Sequence, residues 1–304
     1  VLGVRFLGTS AARPTVERNV AGLVVVREGE TLLFDAGEGT QRQMMRYGVS
    51  FALSDIFFTH FHADHFLGLI GLIRTLGLQG RTDAMRLHGP RGARRILGQA
   101  LTLGVERATF GVEVVELEPG QELDRGDYTL HAFAVDHGGN AIGYALLERD
   151  RLGKFDPERA RELGVPEGPL WGQLQRGQTV TLPDGRSVGP DTIVGPPRPG
   201  RRLVYSGDTR PCAATVSAAR GADLLIHEAT FGEEEKDRAL DTQHATAREA
   251  AEVARDAGVR RLVLTHLSAR YSRDPAPLLE EARAVFPETV VAKDGMEIEL
   301  GYVE

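Results

Sequence analysis

The run Thr59-His60-Phe61-His62-Ala63-Asp64-His65 places three imidazoles and a carboxylate within six residues. It follows an apolar, strand-like segment, Asp55-Ile56-Phe57-Phe58, and precedes a helix-like one from Phe66 to Ile73. His60 and His62 are two apart, so an extended backbone points both to one side. The turn then presents Asp64 and His65 from a shifted position, so each pair can grip one of two neighbouring metal ions. Neutral imidazole with carboxylate suits Zn²⁺ best, with Mn²⁺ or Fe as alternatives. Any one of these histidines alone reads as a structural residue. The cluster, at the end of an apolar strand, reads as a metal site.

Further donors stand at the ends of other apolar runs: His137 before Gly138-Gly139, Asp208 after Gly207, and His266 in Thr265-His266-Leu267. With His60, His62, Asp64 and His65 they match a two-metal site. The expected division gives His60, His62 and His137 to one ion and Asp64, His65 and His266 to the other. Asp208 bridges, because a carboxylate has two oxygens to share. Two divalent ions against two carboxylates and a hydroxide keep about one positive charge, which suits a phosphodiester approaching in line. Asp35, at the end of Leu32-Leu33-Phe34, is either a turn carboxylate or an outer group orienting a metal-bound histidine.

The elements that must position these residues alternate. Strands are expected at Val4–Leu7, Gly22–Val26, Thr31–Phe34, Ile56–Thr59, Met85–His88, Val112–Val115, Tyr128–Phe133 and Ala141–Glu148. They resume at Leu203–Ser206, Leu224–Ile226, Leu262–Leu264 and Val290–Ala292, the last of the domain. Helices are expected at Gln41–Tyr47, His65–Leu78, Gly92 to about Gly104, Ala213–Arg220 and Ala245–Ala257. Ile56-Phe57-Phe58-Thr59-His60 and Leu262-Val263-Leu264-Thr265-His266 repeat one device, which points to two similar β-rich halves whose strand ends meet. Residues 149–186 differ: they carry much charge, little apolar period and a Pro183-Asp184-Gly185 turn, and read as an excursion from the core.

The chain has 304 residues, 41% of them hydrophobic, which is ordinary for one large globular domain. Cys212 is the only cysteine, so a disulfide within the chain and a thiolate metal cage are both excluded. The net charge of −7 argues against a uniformly basic nucleic-acid binder, although clustered arginines can act locally. The opening Val1-Leu2-Gly3-Val4 reads as a strand and not as a signal peptide, and Arg74 interrupts the best apolar run. A cytoplasmic protein with no membrane span is expected.

His60-Phe61-His62-Ala63-Asp64-His65 resembles the signature of the metallo-β-lactamase fold, and five separated motifs together resemble its ribonuclease Z branch. These are Phe34-Asp35-Ala36-Gly37-Glu38-Gly39-Thr40-Gln41, Ser206-Gly207-Asp208-Thr209-Arg210, His227-Glu228-Ala229-Thr230-Phe231, His244-Ala245-Thr246 and Leu264 to Tyr271. The resemblance implies an α/β fold, an αββα sandwich forming a single domain over 1–304, with an inserted arm at 149–186. It implies two Zn²⁺ per subunit (Mn²⁺ the alternative), a homodimer, and no organic cofactor. The implied activity is endonucleolytic removal of the 3′ trailer from precursor tRNA, leaving a 3′-hydroxyl on the tRNA and a 5′-phosphate on the trailer. It implies that Asp64 accepts a proton from the attacking water, and that Glu228 and His244 help the leaving 3′-oxygen take one. Gly168-Pro169 matches the motif of a tRNA-binding arm, and Arg198, Arg201 and Arg202 fall in a basic loop expected to meet phosphate.

Three other readings compete with this one. One is a hydrolase of the same fold acting on a lactam, a thioester or a small phosphodiester; the arm and the His227-Glu228-Ala229-Thr230 run speak against it. A second is a di-iron oxidoreductase, for which a flavin module or acid-rich ligands would be expected. The third is an RNA-binding protein without activity, which has no need of seven donors.

Overall fold

Alternation along the strands decides the architecture. In Leu2–Gly8, the side chains of Leu2, Val4 and Phe6 enter one core while Leu7 enters another. In Gly22–Arg27, Leu23 and Val25 share that first core and Val24 the second. Side chains of period two, apolar on both sides, call for a sheet covered on both faces.

The structure, a computed structural model, describes residues 1–105 and 107–302. The chain divides into two compact units, Val1–Leu147 with Arg202–Gly301, and Glu148–Arg201 with Tyr302. In the larger unit one seven-stranded sheet runs in the spatial order Glu297–Leu300, Leu2–Gly8, Gly22–Arg27, Glu30–Ala36, Asp55–Phe57, Met85–Gly89, Val112–Glu116. The other runs Thr289–Val291, Leu262–Thr265, Leu224–Glu228, Arg202–Tyr205, Ile142–Glu148, Tyr128–Ala134, Glu122–Asp124. A core of Phe6, Phe34, Phe57, Tyr144, Leu203 and Ile226, among others, fills the space between the sheets. Helices Thr40–Arg46, Leu69–Leu78 and Ala93–Leu101 cover the first sheet's outer face. Ala213–Ala218, Ala247–Ala257 and Ala276–Arg283 cover that of the second. This is the expected αββα sandwich.

Strands Glu30–Ala36, Asp55–Phe57, Met85–Gly89 and Val112–Glu116 are parallel neighbours, as are Arg202–Tyr205, Leu224–Glu228, Leu262–Thr265 and Thr289–Val291. Their carboxyl ends therefore open on shared rims, the usual place for chemistry in such sheets.

Two expectations change. The helix expected at His65–Leu78 is two helices, Ala63–Phe66 and Leu69–Leu78. At the break the backbones of Gly68 and Gly37 touch: a Cβ on Gly68 would lie 1.9 Å from the Gly37 carbonyl oxygen. The domain also does not end at Val290–Ala292. Glu297–Leu300 adds an edge strand to the first sheet, antiparallel to Leu2–Gly8, with Ile298 and Leu300 buried and Glu297 and Glu299 exposed.

The smaller unit has its own core. Ala160, Val165, Leu174, Val180, Leu182, Val188 and Ile193 are buried together, with Trp171 against them. Two short helices, Pro157–Glu162 and Pro169–Gln175, and the pair Val180–Thr181 with Ser187–Val188 frame it. Because Val188 and Ile193 belong to this core, the compact unit extends past residue 186 to Arg201.

Candidate metal centre

All seven expected donors converge in the larger unit, with Asp208 at the middle. Its Oδ2 lies 3.3 Å from His65 Nε2, 3.4 Å from His266 Nε2, 3.6 Å from His60 Nε2 and 3.9 Å from His137 Nε2. His60, His62, His137 and Asp208 form one set of donor atoms within 4.8 Å of one another, and Asp64, His65 and His266 form a second. The first set holds the three histidines expected for one ion together with Asp208, and the second the three residues expected for the other. His244 approaches from the side, grouped with Asp208 and His266.

Hydrogen bonds behind the rings fix which nitrogen faces the centre. His65 Nδ1 donates to Asp35 Oδ2 at 2.9 Å. The Thr59 hydroxyl donates to the same carboxylate at 2.9 Å and accepts from His60 Nδ1 at 3.1 Å. Thr230 repeats the device: its hydroxyl donates to Glu228 Oε2 at 2.6 Å and accepts from His266 Nδ1 at 3.0 Å. His137 Nδ1 donates to the Gln243 carbonyl at 2.8 Å. With Nδ1 protonated in each ring, four Nε2 lone pairs point inward.

Those inward lone pairs test whether cations fit. His65 Nε2 and His266 Nε2 are 3.3 Å apart, and His137 Nε2 is 3.2 Å from His62 Nδ1. Lone pairs facing each other at that range repel unless a cation sits among them. His60 Nε2 and Asp208 Oδ1 are buried with no hydrogen-bond partner, which costs free energy in a protein interior unless a ligand is bound. The donor set, imidazole plus carboxylate with no thiolate, suits zinc or manganese.

The electrostatics agree. Burial opposes charge on Asp208, but His266, His65 and His60 outweigh it and hold the carboxyl well below its usual range. Burial likewise opposes charge on His65, and Asp208 and Asp35 outweigh it, raising its affinity for a proton. A negative field that favours a proton there equally favours a cation. For Asp64, burial opposes ionisation, while a hydrogen bond from His266 and the charges of His65 and His266 depress its pKa.

Backbone strain is concentrated here. Asp35, Gln243, His266 and Ala12 all have positive φ, at 56°, 58°, 55° and 60°. Such non-glycine residues cost of order 1–3 kcal/mol each and persist where surroundings enforce them. Asp35 accepts from Thr59 N at 2.8 Å and from the Tyr205 hydroxyl at 3.0 Å. Gln243 aims its carbonyl at His137. Ala12 donates its N–H to Asp64 Oδ2 at 2.7 Å. Asp35 thus makes the contact to His65 that an orienting role requires. Thr59, Thr230, Tyr205, Gln243 and Ala12 were not anticipated. Their contacts cross the chain, and two act through backbone atoms, so only positive φ, invisible in sequence, marks them.

Beside the donors, Glu228 is fully buried and takes Thr209 N at 2.8 Å, Thr230 N at 3.2 Å and Ala245 N at 3.1 Å. His244 Nδ1 donates to Glu228 Oε1 at 2.8 Å. Burial works against a charged His244, but the Glu228 carboxylate overcomes it and raises the imidazole to about 9. His244, Asp64, Arg13 and Arg238 line an open cleft of about 600 Å³.

The expected RNA contacts fare differently. In the smaller unit Gly168 and Pro169 are exposed at the start of helix Pro169–Gln175 and Arg198 is half-buried. Arg201 is buried: its guanidinium takes both oxygens of Glu148, at 2.7 and 2.8 Å, and lies over the Tyr302 ring. Its charge is committed within the unit, so it does not present itself to phosphate. Arg202, in the larger unit, is exposed.

Comparison with known proteins adds names. A beta-lactamase superfamily domain model matches residues 192–267, and a model of the anti-Pycsar protein Apyc1 matches residues 2–152. The ribonuclease Z of Gemmatimonas aurantiaca is 61% identical, covering 99% of this chain and 96% of its own. The crystal structure of human tRNase Z, short form, superposes with a TM-score of 0.71 at 28% identity, covering 98% and 99% of the two chains. YhfI of Bacillus subtilis, a metallo-beta-lactamase fold protein, gives 0.70 at 20% identity, over 98% and 100%, a likeness of fold.

Proposed function

The chain belongs to the ribonuclease Z family, and from that premise we propose how its site cuts RNA. The protein is a tRNA 3′-end-processing endoribonuclease, a phosphodiester hydrolase on the metallo-β-lactamase fold. In the proposed reading His60, His62 and His137 would hold one Zn²⁺ and Asp64, His65 and His266 a second, with Asp208 shared between the two sets and Mn²⁺ as the alternative. Bound there, such ions would polarise the phosphate and lower the pKa of a water toward ~7.

The chain's own groups do the rest. Asp35, Thr59, Thr230 and the Gln243 carbonyl hold the histidine rings in one tautomer and one orientation. Asp64, kept ionised and steadied by the Ala12 N–H, accepts a proton from the attacking water. His244, kept protonated by Glu228, donates a proton to the departing 3′-oxygen, which otherwise leaves as a poor alkoxide. The products are a tRNA ending in a 3′-hydroxyl and a trailer beginning with a 5′-phosphate. The unit Glu148–Arg201 is the arm that holds the body of the tRNA, with Gly168-Pro169 at its contact. Arg198 and Arg202 are the basic-loop residues kept as phosphate contacts. A homodimer is part of the same proposal: Met45, Leu67 and Leu78, on or beside two outer helices, are exposed apolar residues. So is a cytoplasmic location; no helix among the described residues is long and apolar enough to cross a membrane.

One observation carries this reading: donors from four separated stretches of chain converge at Asp208, with His244, paired to Glu228, beside them. The test is incubation with a 3′-extended tRNA precursor and Zn²⁺ or Mn²⁺. Cleavage at the acceptor end with the stated termini is expected. Metal-loaded protein that hydrolyses only small phosphodiesters would refute it.

A further inference from the structure

A second, smaller cleft adjoins the metal centre, and His244 is not among the residues that line it. It measures about 210 Å³ and is lined by Arg91, Arg95, Asn140, Phe61 and Ile96, with His62 and His137 at its inner end. His62 lines both this cleft and the larger one, so the two meet at the donors.

The chemistry of the cleft is specific. Arg91 and Arg95 are exposed, and among the described residues neither guanidinium is bonded to a protein group. The arginine between them behaves otherwise: Arg94 turns its Nε to the Val114 carbonyl. In the larger cleft two of the three lining arginines, Arg238 and Arg270, pair with Glu235. Glu116 already accepts the N–H groups of Gly92 and Arg94, so the anion-binding capacity here lies in the two side chains. Gly138, which also lines the cleft, has a φ of 61° and no atom within 4 Å of where a Cβ would stand, which leaves room for a backbone to approach. Phe61 and Ile96 add an apolar wall of the kind that accepts a base.

We propose that this cleft is the subsite for the 3′ trailer: single-stranded RNA downstream of the cut, its first phosphates on Arg91 and Arg95. The assignment rests on the function proposed above. The leaving 3′-oxygen belongs to the mature tRNA and must lie by its proton donor. His244 lines the larger cleft, so the tRNA end occupies that one. In an in-line displacement water attacks opposite this oxygen. The trailer's 5′-oxygen then projects across that axis, and the second cleft receives the chain it leads. Two unpaired guanidiniums bind phosphates without reading sequence, which suits trailers that differ from one precursor to the next.

The test compares two precursors, one with a single trailer nucleotide and one with about ten, in wild type, Arg91→Ala/Arg95→Ala and Arg94→Ala. In the double variant, half-saturation for the long trailer should rise on the order of tenfold at low salt, and the slope of log affinity against log salt should flatten by about 1.4. The one-nucleotide precursor should lose much less, and affinity for mature tRNA should hold. Arg94→Ala should discriminate nothing. Equal losses on both precursors, or none on either, overturn the subsite. Should wild type itself fail to cut at the acceptor end, the function falls instead, so the two failures are distinguishable. Metal content and thermal midpoint of each variant exclude misfolding.

Discussion

The proton on His244 gives the sharpest prediction, because Glu228 controls how often it is there. At pH 7.5 a group raised to about 9 is ~97% protonated. Replacing Glu228 by Gln removes the charge that does the raising and leaves burial, which acts the other way. The imidazole then returns to its ordinary 6.5 or below, where ~9% is protonated at pH 7.5. From population alone Glu228→Gln should cost about tenfold at pH 7.5, almost nothing near pH 5.5, and approach about 300-fold above pH 9.5. The sign is fixed: the acid must be charged to act, so the deficit grows as pH rises. Residual orientation losses add a constant, since a Gln amide faces the Thr230 hydroxyl and the Ala245 N–H. His244→Ala removes the donor and should lose on the order of 10²–10⁴ at all pH values below 9. The assay is single-turnover cleavage across pH with metal content matched. A precursor with sulfur in place of the bridging 3′-oxygen supplies the control, because a thiolate leaves without a proton. That substrate should be cut about equally by wild type and His244→Ala. An undiminished defect on the sulfur substrate, or a Glu228→Gln deficit flat in pH, refutes proton donation.

Three further outcomes follow from geometry already described. Asp208→Ala removes the oxygen within 3.3–3.9 Å of four imidazole nitrogens; metal analysis should fall below one ion per chain, and retention of two would rule out the bridging role. Gly68→Ala forces the backbone at Gly37 to move and should destabilise by roughly 1–3 kcal/mol in urea titration, with no change indicating that the contact is slack. Excising 149–200 through a short Gly-Ser joint is geometrically mild, since Glu148 N–H already donates to the Arg201 carbonyl at 3.0 Å. It should weaken precursor binding by on the order of a hundredfold while small-diester hydrolysis stays within about twofold, and equal losses on both would deny the arm its role.

The convergence of seven side chains was legible because each follows an apolar run that ends in a polar residue, and the order of such endings is a sequence property. His60 and His62 needed only strand period; Asp208 and His266 needed the inference that parallel strands share a rim. What could not be read is what holds the rings. Thr59 and Thr230 are ordinary strand-end residues until two carboxylates from elsewhere come within reach. The Ala12 amide and Gln243 carbonyl have no side-chain signature at all. Arg201 was misassigned for the opposite reason: its type and neighbours fit a basic loop, but Glu148, 53 residues earlier, claims its guanidinium. The edge strand Glu297–Leu300 was overlooked although Glu297-Ile298-Glu299-Leu300 alternates, because four residues after a turn carry little pattern. Gly68 broke a helix that its apolar period extended.

The pairing of Leu2–Gly8 with Glu297–Leu300 has a bearing on biosynthesis. Leu2–Gly8 must wait beside an open edge until nearly three hundred further residues have been translated. His60 likewise waits for His266. A ribosome-tethered chain halted before residue 266 lacks His266, and with it one of the three donors of the second set, Asp64, His65 and His266. Nuclease competence therefore arrives late and all at once, and an interrupted translation product cannot cut the very molecules that the ribosome is using to build it.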